Sequence, residues 1–513
     1  MVAGSLAIAV LGVTRPAQAE SVTPPSACAA LRGVSLPDAT ITAARAYSAG
    51  EFELPENGGS AWPPGMGPGN DAPSPMPAMC RVSLTLRPSE DSDIRMEAWL
   101  PLAGWNGKFV GVANFGTGGS IQYQSMVQPL QAGYALAAND TGHTGGGADF
   151  AVGHPQKMID YAYRADHEMT LRARELVEKF YGRVPSRSIW VGCSLGGLQG
   201  LIEAKRYPGD YDGIVAGAPP NPLPLFNAQQ LWGAWLNQRH PEGTIPAAKF
   251  AVVHQAALRA CATPVGIAQG FIEDPEHCHF DPGTLLCKAG DTPDCLTASQ
   301  VQRMRELYAG PLDPRTHKVM FPGPAVGAEN ELVMGATEPM RAAVDLYRFM
   351  VYQDPHWDWK TLDYTASVAR AQREVGPLLT VDADLNAFLQ RGHKLMIYVG
   401  WTEGHNGNDL VNYYREVVRA AGPAAAGNVR LFLVPGMNHC GGGAGCDTFD
   451  RVGVVDQWLQ TGSAPDQILS SKESAGKVVR TRPLCAWPAI ARYRGTGSMD
   501  EAASFECARP AGT

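Results

Sequence analysis

Gly192-Cys193-Ser194-Leu195-Gly196 is the stretch on which the fold turns. It follows a short apolar run, residues 188–191, and precedes a helical stretch, residues 197–207. A GxSxG pentapeptide alone recurs by chance. Between a strand and a helix it has the context of a nucleophile elbow, a tight turn that exposes the serine hydroxyl. Gly192 and Gly196 leave room for the backbone to cross closely there. The reading is an α/β chain with an α/β-hydrolase core, and Ser194 as nucleophile.

Working outward, strand-like runs cover 80–87, 94–100, 108–113, 211–216, 394–399 and 429–434. Residues 160–181 have helical spacing and many charges. Strands alternating with helices predict a mostly parallel sheet covered on both faces. Residues 20–80 are rich in Pro and Gly and read as an irregular N-terminal wrap. The rhythm breaks over 220–380, which holds four cysteines and several Trp. The expected organisation is a leader over 1–19, core over 20–219 and 381–513, and an inserted lid over 220–380.

In this fold the acid and then the histidine follow the serine in chain order. His439, in Pro435-Gly436-Met437-Asn438-His439, lies just past the last core run and is the expected base. His405 is its rival; His143 and His167 precede the serine and read as structural. The acid belongs after 394–399, where Gly400-Trp401-Thr402-Glu403-Gly404 offers Glu403, with Asp409 as fallback. Its role is to fix the tautomer of His439 and stabilise the imidazolium. The oxyanion donors are the Leu195 N–H and one from Asn114-Phe115-Gly116-Thr117-Gly118-Gly119. Gly116 is chosen there, with Phe115 and Thr117 as alternatives. Cys193 precedes the serine and Cys440 follows His439, so a meeting of Ser194 with His439 forces the two sulfurs together. A disulfide there staples both catalytic loops.

The chain has 513 residues, 45% apolar, and a net charge of −8. No basic stripe is present, which argues against a nucleic-acid partner. Residues 5–13 are too short an apolar run to span a bilayer. With Ala17-Gln18-Ala19 they read as a truncated export signal, so a secreted or periplasmic monomer without membrane association is expected. The eleven cysteines contain no CxxC and fit no zinc pattern; disulfides fit an exported chain. The odd number leaves at least one thiol over.

With Cys193-Ser194 at the elbow and His439-Cys440 at the base, the sequence resembles the tannase and feruloyl esterase family, which includes mono(2-hydroxyethyl) terephthalate hydrolases. Further landmarks are Asn139-Asp140-Thr141-Gly142-His143, Tyr163-Arg164-Ala165, Gly217-Ala218-Pro219, Cys295-Leu296-Thr297 and Gly400-Trp401. The resemblance implies the pairs Cys28–Cys80, Cys261–Cys278, Cys287–Cys295 and Cys485–Cys507, leaving Cys446 as the odd thiol. It also implies an aromatic acyl group, feruloyl, galloyl or terephthaloyl. Trp232, Trp235, Phe349, Tyr352, Trp357 and Trp359 are candidates to stack on it.

Two departures from the family stand out. Its usual acid is Asp where this chain has Glu403. Many members also bind calcium through Cys-Asp-x-x-Asp-Gly-x-x-Asp-Gly; here Ala262, Val265 and Gln269 replace the three acids, so no metal and no cofactor are expected. The rival readings are a secreted serine peptidase and a non-catalytic binding protein on the same scaffold.

Overall fold

Parallel strands covered by helices on both faces are buried along their length. In the computed structural model β4 (Phe109–Val112), β5 (Ala135–Asn139), β7 (Gly213–Gly217) and β8 (Lys394–Gly400) are buried throughout. The structure describes residues 25–55, 75–330, 335–405, 407–424 and 427–510. The expected leader, and residues 20–24 and 56–74 of the Pro/Gly-rich stretch, lie outside these.

The main sheet has nine strands in the order β1-β2-β3-β5-β4-β6-β7-β8-β9. Here β1 is Ala39–Tyr47, β2 Met79–Leu86, β3 Ile94–Pro101, β6 Ser188–Cys193 and β9 Val429–Val434. From β5 to β9 every neighbouring pair is parallel; β1, β2 and β3 add an antiparallel edge. This is the α/β-hydrolase fold, mostly parallel with helices against the sheet.

Two strands of this sheet depart from the sequence reading. β1 falls inside the stretch read as an irregular wrap. It is an edge strand, Ala-Thr-Ile-Thr-Ala-Ala-Arg-Ala-Tyr, with no apolar run and no fully buried residue, so its pairing with β2 supplies what its side chains do not. β5, Ala-Leu-Ala-Ala-Asn, lies outside the strand-like runs because small residues carry a weak strand signal.

β7 and β8 are adjacent in the sheet although residues 218–393 separate them in sequence. That segment carries the helix Leu223–Arg239, buried on most of its faces, and a π-helical turn at Leu346–Val351. Its Trp232 and Trp235 rings stack on one another at 5.2 Å.

Candidate active site

Ser194 stands between β6 and the helix Leu195–Arg206 with φ 59° and ψ −126°. Such a backbone costs about 1–3 kcal/mol and persists only where its surroundings fix it. The Ser194 N–H donates to Gly217 O at 2.9 Å. A Cβ at Gly192 would lie 2.4 Å from Ala113 Cβ, one at Gly196 2.4 Å from Asn114 O, and one at Gly197 2.2 Å from Gly217 O. Glycine is therefore required at all three positions.

The loop before the helix Tyr123–Gln131 is tied to the same helix that follows Ser194. The Asn114 N–H donates to Gln199 Oε1 at 3.2 Å, and Asn114 Nδ2 to Asn139 O at 2.9 Å. The Gly118 and Gly119 amides donate to Phe115 O and Asp140 O. Phe115, Gly116 and Thr117 face the cavity that Ser194 and Leu195 line.

Glu403 and His439 come from the loops after β8 and β9. These loops are zipped together: Thr402 N–H and Oγ1 both donate to Met437 O, at 3.1 and 2.6 Å. His439 Nδ1 is hydrogen-bonded to Glu403 Oε2 in a short contact. Glu403 is 1% exposed. Burial opposes its ionisation, but the charge of His439 and the nearness of His405 outweigh this and hold the carboxyl down at about 2. An ionised carboxylate only accepts hydrogen bonds, so Nδ1 of His439 is the donor in this contact.

The structure pairs Cys193 with Cys440 at a Cα–Cα distance of 6.0 Å. Cys28–Cys80, Cys261–Cys278, Cys287–Cys295 and Cys485–Cys507 are also bonded. Cys446 is left as a buried thiol, which burial pushes up to about 11.

The other candidates lie elsewhere. His143 is buried against Phe150, ring centroids 3.8 Å apart, and burial lowers it to about 4. His167 binds Asp210 at 2.6 Å and stacks on Tyr207. Asp409 sits in the first turn of the helix Gly407–Ala421. His405 joins the site: it lines the cavity, with Nδ1 3.8 Å from Glu403 Oε2.

The cavity has a volume of about 170 Å³. A dry apolar cavity of roughly 150 Å³ holds benzene, so the space suits one aromatic ring. Its apolar wall is Tyr161, Leu223, Phe226, Met340, Leu346 and Met350. None of the six aromatic residues proposed from sequence lines it. Trp232 and Trp235 donate to the carbonyls of Glu306 and Leu362 and pack against Tyr364. Trp357 stacks on Tyr352. They are core of the inserted segment. Phe226 carried the same signal as they did, an aromatic in the insertion, but nothing in the sequence distinguished it.

Where relatives carry acids, Gln269 instead donates to Met499 O and accepts from Arg482. The acids still present nearby are engaged, Glu273 by Thr263 and Asp274 by His277.

Residues 80–508 match the family described as tannase and feruloyl esterase. The chain belongs to that family. It is an esterase. An uncharacterised esterase of Xanthomonas campestris pv. campestris is 35% identical, with 94% of this chain and 91% of that one covered. The mono(2-hydroxyethyl) terephthalate hydrolase of Piscinibacter sakaiensis is 31% identical over 86% of this chain and 87% of its own. The crystal structure of feruloyl esterase B from Aspergillus oryzae superposes with a TM-score of 0.84 at 26% identity, covering 94% of this chain and all of that one.

Proposed function

We propose that this family member is a secreted serine carboxylesterase that hydrolyses esters of aromatic acids through an acyl-enzyme. The observation that carries the reading is the convergence on one cavity of Ser194, on its strained turn, and His439, bonded to buried Glu403. Ser194 Oγ attacks the ester carbonyl while His439 Nε2 takes its proton. The Leu195 N–H and Gly116 N–H hold the oxyanion. His439 then protonates the leaving alcohol. Water, deprotonated by His439, attacks the acyl-enzyme and frees the acid and Ser194. Residues 220–380 act as the lid that completes the acyl pocket. Five disulfides support an exported chain.

Labelling with a fluorophosphonate probe, together with turnover of methyl ferulate and methyl gallate, tests the proposal. Labelling lost in Ser194→Ala and turnover of at least one ester are expected. An unlabelled wild-type protein would end the serine mechanism.

A further inference from the structure

His405 is 6% exposed, and neither of its ring nitrogens has a hydrogen-bond partner among the described residues. Its ring leans on Phe226, centroids 5.2 Å apart, and stands 5.8 Å from that of His439. Its Nδ1 lies 3.8 Å from Glu403 Oε2, beyond hydrogen-bond reach. Leaving a buried polar group unsatisfied is costly, because its water is lost and not replaced. The same Glu403 oxygen thus meets two imidazoles and bonds only one of them, His439.

One ligand atom from each of Glu403, His405 and His439 lies within 4.8 Å of the other two. Two imidazole nitrogens and a carboxylate oxygen are a donor set that Zn²⁺ favours, with bonds of about 2.0–2.2 Å and a fourth position left open. Tetrahedral coordination at those lengths sets the ligand atoms about 3.3 Å apart. The His405–Glu403 separation has to shrink slightly and the Glu403–His439 contact has to open. Both are side-chain adjustments. Two of the three ligands, His405 and His439, line the cavity that holds Ser194.

We propose that Glu403, His405 and His439 form an inhibitory zinc site in the active centre. Zn²⁺ replaces the proton on His439 Nδ1, so binding through that atom releases one proton per ion. The ion then occupies the place from which Glu403 orients His439. Inhibition rests on the reading of His439 as base; binding does not. Calcium and magnesium, which prefer all-oxygen shells, should not substitute.

The full-length Ser194→Ala protein, which keeps all three ligands, is titrated with Zn²⁺ by calorimetry and with Co²⁺ by visible absorption. One zinc per chain and the intense absorption of tetrahedral cobalt are expected. His405→Ala and His405→Phe in the same background, checked for folding by thermal melting, should weaken zinc by at least about tenfold. In the active enzyme, zinc should inhibit hydrolysis of p-nitrophenyl acetate reversibly with EDTA. The inhibition constant should rise by the same factor in each His405 variant, relative to that variant's own zinc-free rate. Absence of zinc binding, an octahedral cobalt spectrum, or unchanged affinity in the His405 variants would overturn the site. Zinc that binds through His405 yet leaves turnover untouched would overturn the inhibition and count against His439 as base.

Discussion

Ser194 has little conformational choice, with its amide bound to Gly217 and glycines packed on both sides. Ser194→Ala keeps those backbone contacts, so the variant should melt within a few degrees of the wild type. Its hydrolysis of methyl ferulate should fall by on the order of 10⁴ or more. Turnover retained in the folded variant would remove Ser194 from the mechanism. The contact of Glu403 with His439 was legible from its place after a late strand. Glu403→Gln should lower kcat about 10²–10⁴-fold with KM little changed, since the imidazolium of His439 loses its counter-charge. The folded state holds Glu403 at about 2, below its ordinary 4.5. The stability this contributes is complete above pH 4.5 and is lost as pH falls through about 2. His405 was legible only as a rival base. Its position against Glu403 depends on how the loop after β8 folds back, which no local pattern encodes.

At the scale of elements, long apolar strands were legible and weak edges were not. β8 and β9 announce themselves by composition, whereas β1 is a strand only because β2 pairs with it. Two wall segments escaped for another reason. Tyr161 sits in the π-helical turn Asp160–Arg164, and Leu346 and Met350 in the turn Leu346–Val351. A π turn shifts the face a residue presents, so reading at a period of 3.6 misassigns it. The helix Gly407–Ala421 carries Asp409, whose Oδ2 is buried without a partner among the described residues. Burial, with Glu416 adding to it, raises Asp409 from 3.8 to about 8. Between those values the unfolded chain ionises and the folded chain holds its proton, so stability falls as pH rises. Asp409→Asn should therefore raise Tm by a few degrees at pH 7 and leave it unchanged near pH 3.5, with kcat preserved. A large loss of kcat instead would move the acid from Glu403 to Asp409. The Cys193–Cys440 bridge closes a separation of 247 residues, about 5 kcal/mol by loop entropy. Cys193→Ser with Cys440→Ser should lower both Tm and turnover, read by melting and by p-nitrophenyl acetate hydrolysis.

Across the whole molecule, the segment between β7 and β8 supplies most of the apolar wall of the cavity that Ser194 and His439 line. Family membership was legible from two dipeptides, Cys193-Ser194 and His439-Cys440. The wall was not, because it depends on how the insertion packs. Its composition nevertheless constrains the substrate. No Lys or Arg is among the described residues that line the cavity; the polar side chains there, besides Ser194 and His439, are Thr117, Tyr161, Asn227, Gln230 and His405. Asn227 Nδ2 already donates to Gln230 Oε1 at 2.7 Å. A free carboxylate on the far side of the ring would give up its water without gaining a counter-charge, a cost of several kcal/mol. On this lining, neutral acyl groups are expected to be preferred over acidic ones. Dimethyl and monomethyl terephthalate share ring and scissile ester and differ in one charge. The neutral diester should be favoured in kcat/KM by at least about 100-fold, equivalent to about 2.8 kcal/mol. The ratio should narrow as pH falls through the carboxyl range of about 4, because protonation removes the charge. Comparable kcat/KM for the two esters at pH 7 would mean that a cation reaches the bound acid, and the neutral-acyl reading of the cavity would fail.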